Sequence, residues 1–84
     1  MPRSNGTVDL SRVSEIMAPK LEKAINADGR DRSTLAQLSG MALKRFERVV
    51  ADPGKASVPE VIDIMKALDL KYEDVFPTEA EMSA

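Results

Sequence analysis

The sequence predicts an all-α fold: a compact five-helix domain with an extra short N-terminal helix. Apolar residues recur at three- and four-residue spacing along most of the chain, the period of a helix face. Glycine, proline and short polar residues interrupt those stripes where helices would start and stop. Only Phe46, Tyr72 and Phe76 are aromatic and long β-branched runs are missing, so little favours strands.

Residues 1–8, MPRSNGTV, read as a polar arm expected to be mobile. Asp9 is a candidate cap for a short helix striped by Leu10, Val13, Ile16 and Met17. Pro19 lacks a backbone donor and clashes with the preceding turn, so it reads as the first turn of a new helix. A continuous kinked helix is the competing reading. The new helix buries Leu21, Ala24 and Ile25 and stops at Gly29. Asp31 caps the next one, with Leu35, Ala36 and Leu38 inward. Ser39-Gly40-Met41 breaks it, and a helix follows from about Ala42 to Ala51, striped by Leu43 or Phe46, Val49 and Val50. Asp52-Pro53-Gly54 ends that helix.

Ser57-Val58-Pro59-Glu60 combines the spacing of a reciprocal cap with a proline in the first turn, the strongest helix start in the chain. Val61, Ile62, Ile64, Met65 and Leu68 give that helix its apolar face. Tyr72 to Phe76 form a last turn before Pro77, and TEAEMSA reads as an acidic, frayed tail. The boundaries are therefore 1–18 for arm and short helix, 19–76 for the domain, and 77–84 for the tail.

Eighty-four residues make one domain at most. A core of about 60 residues buries roughly 60% of its chain surface and is marginal alone, so pairing with a second copy would help. The chain has no cysteine and no histidine, which removes disulfides, thiolate sites, the usual general base and the commonest metal ligand. No metal and no cofactor is expected. No apolar run approaches the roughly 20 residues of a membrane span, and no signal peptide is visible. A cytoplasmic protein with no membrane partner is expected.

The net charge of −2 hides a segregation along the chain. Residues 1–18 balance. Residues 19–55 carry Lys20, Lys23, Arg30, Arg32, Lys44, Arg45, Arg48 and Lys55 against Glu22, Asp28, Asp31, Glu47 and Asp52, an excess of three positive charges. Residues 56–84 carry two lysines against seven acids, an excess of five negative charges. A basic middle segment is what an anion-binding face requires, although many solvated helix surfaces are also locally basic.

Leu35-Ala36, then Gly40 four residues after Ala36, then Met41, Phe46 and Val49, resembles the helix-turn-helix core of the lambda-repressor/Cro-like (XRE) family. Leu21 and Gly29 sit where that family closes its first helix. SVPEVIDIMKALDLKYEDVF is similar to its fourth helix and ending, with Leu68, Leu70, Val75 and Phe76 at core positions. The resemblance covers about residues 19–76. It implies a lambda-repressor-like helix-turn-helix domain whose second helix lies in the major groove of double-stranded DNA. Ala36 has to be small where the two helices cross, and Gly40 supplies the turn. Three residues depart from the pattern. Ala42 stands where a capping serine is common, Arg30 where an apolar residue is usual, and Asp69 where glycine is common; aspartate tolerates the left-handed conformation better than most.

The resemblance assigns base reading to Leu43, Lys44, Arg45, Glu47 and Arg48. Lys44 and Arg48 are one turn apart and project together. Arg48 is a candidate for a bidentate contact to guanine, and Lys44 for guanine or phosphate. Leu43 is set either to touch a thymine methyl or to pack in the core. Glu47 is set either to accept from cytosine or, the favoured reading, to hold Arg48 or Lys44. Phosphate candidates are Arg32, Ser33 and Thr34 at the start of the preceding helix, and Lys55 in the loop after the reading helix. Arg3 in the arm is a further candidate for phosphate or the minor groove.

The implied function is a transcriptional regulator, a phage- or prophage-type repressor binding an inverted-repeat operator as a homodimer. Tyr72, Val75 and Phe76, or the stripe Leu10, Val13 and Met17, are candidates for the pairing surface. The alternative is a protein-interaction module, an antitoxin-like adaptor that uses the same fold to bind a protein partner. An enzyme is not expected: Glu73-Asp74 and Glu79/Glu81 are paired only in sequence, without histidine or a phosphate-cradling glycine loop. Methionines 17, 41 and 65 fall on apolar faces and read as core filler.

Overall fold

In the computed structural model, which describes residues 10–83, Pro19 does not break the first helix. Helix α1 runs Leu10–Asp28 with Pro19 inside it, so the continuous helix of the competing reading is the one that forms. The arm at 1–8 with Arg3, the Asp9 cap and the side chain of Leu10 lie outside the described residues. The expectation of two helices fails because the apolar stripe is continuous across the proline. Val13, Met17, Leu21 and Ile25 recur every four residues and face one core, Met17, Leu21 and Ile25 being buried and Val13 packed against them. Burial of both halves on one surface outweighs the roughly 3 kcal/mol that an interior proline costs. Pro19 itself sits on the exposed side.

Helix α2 (Arg32–Leu38) starts where Asp31 accepts the Thr34 amide at 2.7 Å. It ends in a tight turn: the Met41 amide donates to the Ala36 carbonyl at 3.1 Å and the Gly40 amide to Gln37 at 3.0 Å. This pairing needs a left-handed residue just past the helix, and Gly40 has φ of 75°. Open space surrounds the place a Cβ would occupy there, so backbone conformation rather than crowding demands the glycine. Helix α3 (Leu43–Ala51) follows, entered through Ala42 with no side-chain cap.

A single 3₁₀ turn, Pro53–Lys55, leads to α4 (Val58–Ala67). Ser57 and Glu60 form the reciprocal cap there: the Glu60 amide donates to Ser57 Oγ and the Ser57 amide to Glu60 Oε1. Helix α4 closes with the same device as α2, Asp69 standing in the glycine place with φ of 57°. Helix α5 (Tyr72–Val75) is one turn, and α6 (Glu79–Ser83) is the last element.

The tail is thus helical rather than frayed. Thr78 and Glu81 cap one another, the Thr78 amide donating to Glu81 Oε1 at 2.9 Å and the Glu81 amide to Thr78 Oγ1 at 3.1 Å. Lys20 on α1 donates to the same carboxylate at 2.9 Å, and Arg12 to the Glu81 carbonyl at 3.1 Å. The Thr78 amide first, and then the Lys20 ammonium, hold Glu81 below the ordinary carboxylate range.

One core joins these helices. Phe46, Val49 and Val50 from α3 meet Leu35 and Ala36 from α2, Val61, Ile64 and Met65 from α4, Val75 from α5 and the α1 stripe. Met17 and Val75 are therefore interior residues and are not available to a pairing surface. No strand and no helix long and apolar enough to cross a membrane is present among the described residues. Arg30 does not enter the core; it turns outward, clasping Asp28 and donating to the Ala67 carbonyl at 2.9 Å. That pair lowers the Asp28 pKa.

Candidate nucleic-acid interface

Helix α3 is strongly two-sided. Phe46, Val49 and Val50 are buried, whereas Leu43, Lys44, Arg45, Glu47 and Arg48 are all exposed. The choice left open for Leu43 falls outward: its side chain is 40% exposed and belongs to the outer face, not the core.

The cations divide into two kinds. Arg45 is spoken for: its Nε and a terminal nitrogen donate to the two oxygens of Glu60 at 2.6 and 2.7 Å. This bidentate pair ties α3 to the first turn of α4. Arg32 is held from two sides, donating to Glu22 on α1 at 3.1 Å and Glu47 on α3 at 3.1 Å, with its guanidinium 5.9 Å from the centre of the Phe46 ring. It staples three helices over the core's largest side chain. Lys44 and Arg48 are the other kind: their side chains make no ion pair or hydrogen bond among the described residues.

Glu47 therefore finds a partner other than the expected one. It accepts from Arg32 across the helix pair and not from Lys44 or Arg48 along its own helix. The consequence is that neither outward cation is neutralised by its neighbour. Ser33 is exposed at the start of α2. The Thr34 amide is already used by Asp31, whose carboxyl it holds below the usual range. Lys55 stands 3.8 Å from Asp52, a loose contact for a side chain that is mostly in solvent.

A groove of about 160 Å³ runs beside α3, lined by Arg45, Arg48, Val49, Asp52, Lys55 and Ala56. With Arg45 neutralised by Glu60, Arg48 and Lys55 against Asp52 leave one net positive charge over the apolar floor of Val49 and Ala56, a setting that favours an anionic chain over a neutral one. Sequence reasoning missed the residues that arrange this surface. Glu22 and Glu60 decide which arginines are engaged, and they come from other helices. Ser14 on α1 also reaches the loop after α3, where it meets Asp52 and Gly54. Only Glu60 left a local trace, as a capping residue. No group of carboxylates among the described residues is placed to hold a metal ion. Comparison of the chain with protein-family models, with curated proteins and with solved structures finds no match.

Glu60 gives the interface an acid sensitivity. Arg45, and then the Ser57 amide, pull its pKa from the ordinary 4.5 down to about 2. A depressed folded value contributes stability that is complete above the unfolded pKa and is lost as pH falls through the folded one. The pair is therefore at full strength above about pH 5 and is lost as pH falls through about 2. Glu60→Gln is expected to flatten the fall in melting temperature across that window. A Glu60→Gln melt that tracks the parent's pH dependence would show that the pair contributes nothing.

Proposed function

We propose that the chain is a sequence-specific double-stranded DNA-binding transcriptional regulator of the lambda-repressor/Cro-like type, a phage- or prophage-type repressor acting as a homodimer. Helix α3 enters the major groove with Lys44, Arg48 and Leu43 towards base edges, while Lys55 and Ser33 meet the phosphates on either side. The observation that carries this reading is the split among the cations: Arg32 and Arg45 are consumed by carboxylates, and Lys44 and Arg48 stand unpaired one turn apart. The tight turn at Gly40 and the small buried Ala36 support the helix-turn-helix reading of α2 and α3.

Selection of bound sequences from a random duplex pool tests the proposal. An inverted repeat with half-site centres about 10 bp, or 34 Å, apart is expected from a two-fold dimer. Affinity should also depend on salt. With about five to eight phosphates met per dimer, log K falls against log salt with a slope of roughly −4 to −7. A flat response, with no sequence enriched, would instead favour the second reading, a protein-interaction module. Its support is Tyr72, stacked on Phe76 at 4.2 Å yet 65% exposed on the acidic C-terminal side.

A further inference from the structure

Ser14 is half-buried on the N-terminal half of α1, a part of the helix that contributes no residue to the basic groove. Its hydroxyl nevertheless fixes the loop that leaves α3. It donates to Asp52 Oδ1 and accepts from the Gly54 amide at 2.9 Å. The loop is closed from within as well, since the Lys55 amide donates to the Asp52 carbonyl at 3.1 Å, and Pro53 between them is buried. The second oxygen of Asp52, Oδ2, is the one facing Lys55 Nζ at 3.8 Å. Asp52 and Lys55 stand on a ridge between two grooves: the basic one beside Arg48, and another lined by Ser11, Ser14, Glu15, Ala18 and Pro19.

We propose that Ser14 is a positioning residue for the DNA interface, keeping Asp52 engaged from the α1 side so that Lys55 stays available to a phosphate. The inference rests on the DNA-binding reading above. A carboxylate that already accepts a hydroxyl proton is a weaker acceptor for a nearby ammonium. Without that hydroxyl, Asp52 has no charge-assisted hydrogen bond from α1, and Lys55, three residues on, is the cation in reach. The Gly54 amide simultaneously loses its acceptor, which loosens the loop's backbone. Ser14 itself touches no nucleic acid; it acts through Asp52 and Gly54.

The test compares the parent chain with Ser14→Ala, Ser14→Thr, Lys55→Ala and the double variant Ser14→Ala/Lys55→Ala. Amide exchange is measured on free protein and affinity on the selected duplex. Ser14→Ala is expected to speed exchange at Gly54 and to weaken binding about five- to tenfold, as for one impaired phosphate interaction. Its salt slope should be shallower by about one. Ser14→Thr, which keeps the hydroxyl, should restore most of both. The double variant should bind no more weakly than Lys55→Ala alone, because the serine acts through the lysine. Additive losses in the double variant would overturn the proposal, as would parental affinity and slope in Ser14→Ala. Unchanged Gly54 exchange in Ser14→Ala would overturn the clasp itself while leaving the DNA reading standing. A parent chain that binds no duplex, with Gly54 exchange responding as expected, would overturn the DNA reading and the serine's role in it while the clasp stands.

Discussion

Phe46→Ala is expected to cost about 3–5 kcal/mol and to unfold a large fraction of the protein at 25 °C. Phe46 is fully buried at the centre of the single core, where α1, α2, α3 and α4 all contribute side chains. Truncation to alanine leaves a cavity that the surrounding helices fill only in part, so the lost transfer energy and the cavity act together. Arg32, whose guanidinium lies over the ring, loses that surface as well. A domain of this size holds on the order of 5 kcal/mol in total, so the loss is comparable to all the stability there is. Far-ultraviolet circular dichroism during urea titration reads the result. Phe46→Leu, which keeps most of the volume, should retain a cooperative transition at lower urea. A Phe46→Ala transition within about 1 kcal/mol of the parent would mean that α3 is not anchored by this side chain.

What is legible in the sequence is local. Asp31 and Ser57 with Glu60 start helices where their spacing predicts, since a cap acts over three residues and needs no information from elsewhere. Gly40 and Asp69 take the left-handed backbone for the same reason. At Pro19 the local rule fails because tertiary burial overrides it: the proline's penalty is fixed, whereas the stripe from Val13 to Ile25 is rewarded only once a core exists to receive it. Helix α6 escapes the sequence reading although Thr78 and Glu81 carry the same cap spacing as Ser57 and Glu60. Acidic composition at a chain end argues against a helix there, and the stabilising partners Lys20 and Arg12 are 61 and 69 residues away from Glu81 in sequence.

The candidate interface divides in the same way. That Lys44 and Arg48 share a face follows from helical spacing alone. Which cations stay unpaired does not, because the deciding carboxylates lie on other helices. In sequence Arg45 is equivalent to Arg48, until the packing of α4 brings Glu60 against it. Arg32 is likewise available until Glu22 and Glu47 converge on it. Ser14 gives no signal at all. A serine beside an apolar stripe is ordinary until the fold sets it against the end of α3.

Lys44→Ala combined with Arg48→Ala is expected to weaken binding to the selected operator by several kcal/mol while leaving the fold intact. Both side chains are exposed and unpaired, so their removal should shift stability by no more than about 0.5 kcal/mol. On DNA, deleting a side chain that reads a base costs about 1–3 kcal/mol, and deleting one that meets a phosphate costs less. Arg45→Ala is the informative control. Its guanidinium is bound to Glu60, so its removal should lower stability at neutral pH, where the pair is intact, more than it changes sequence preference. Gel-shift titration against operator and scrambled duplex, alongside circular dichroism melts, separates the three effects. If the double variant held its operator as tightly as the parent, the outward face of α3 would not read bases. Lys44 and Arg48 would then be ordinary solvated cations, and the acidic side bearing Tyr72 would become the surface to probe.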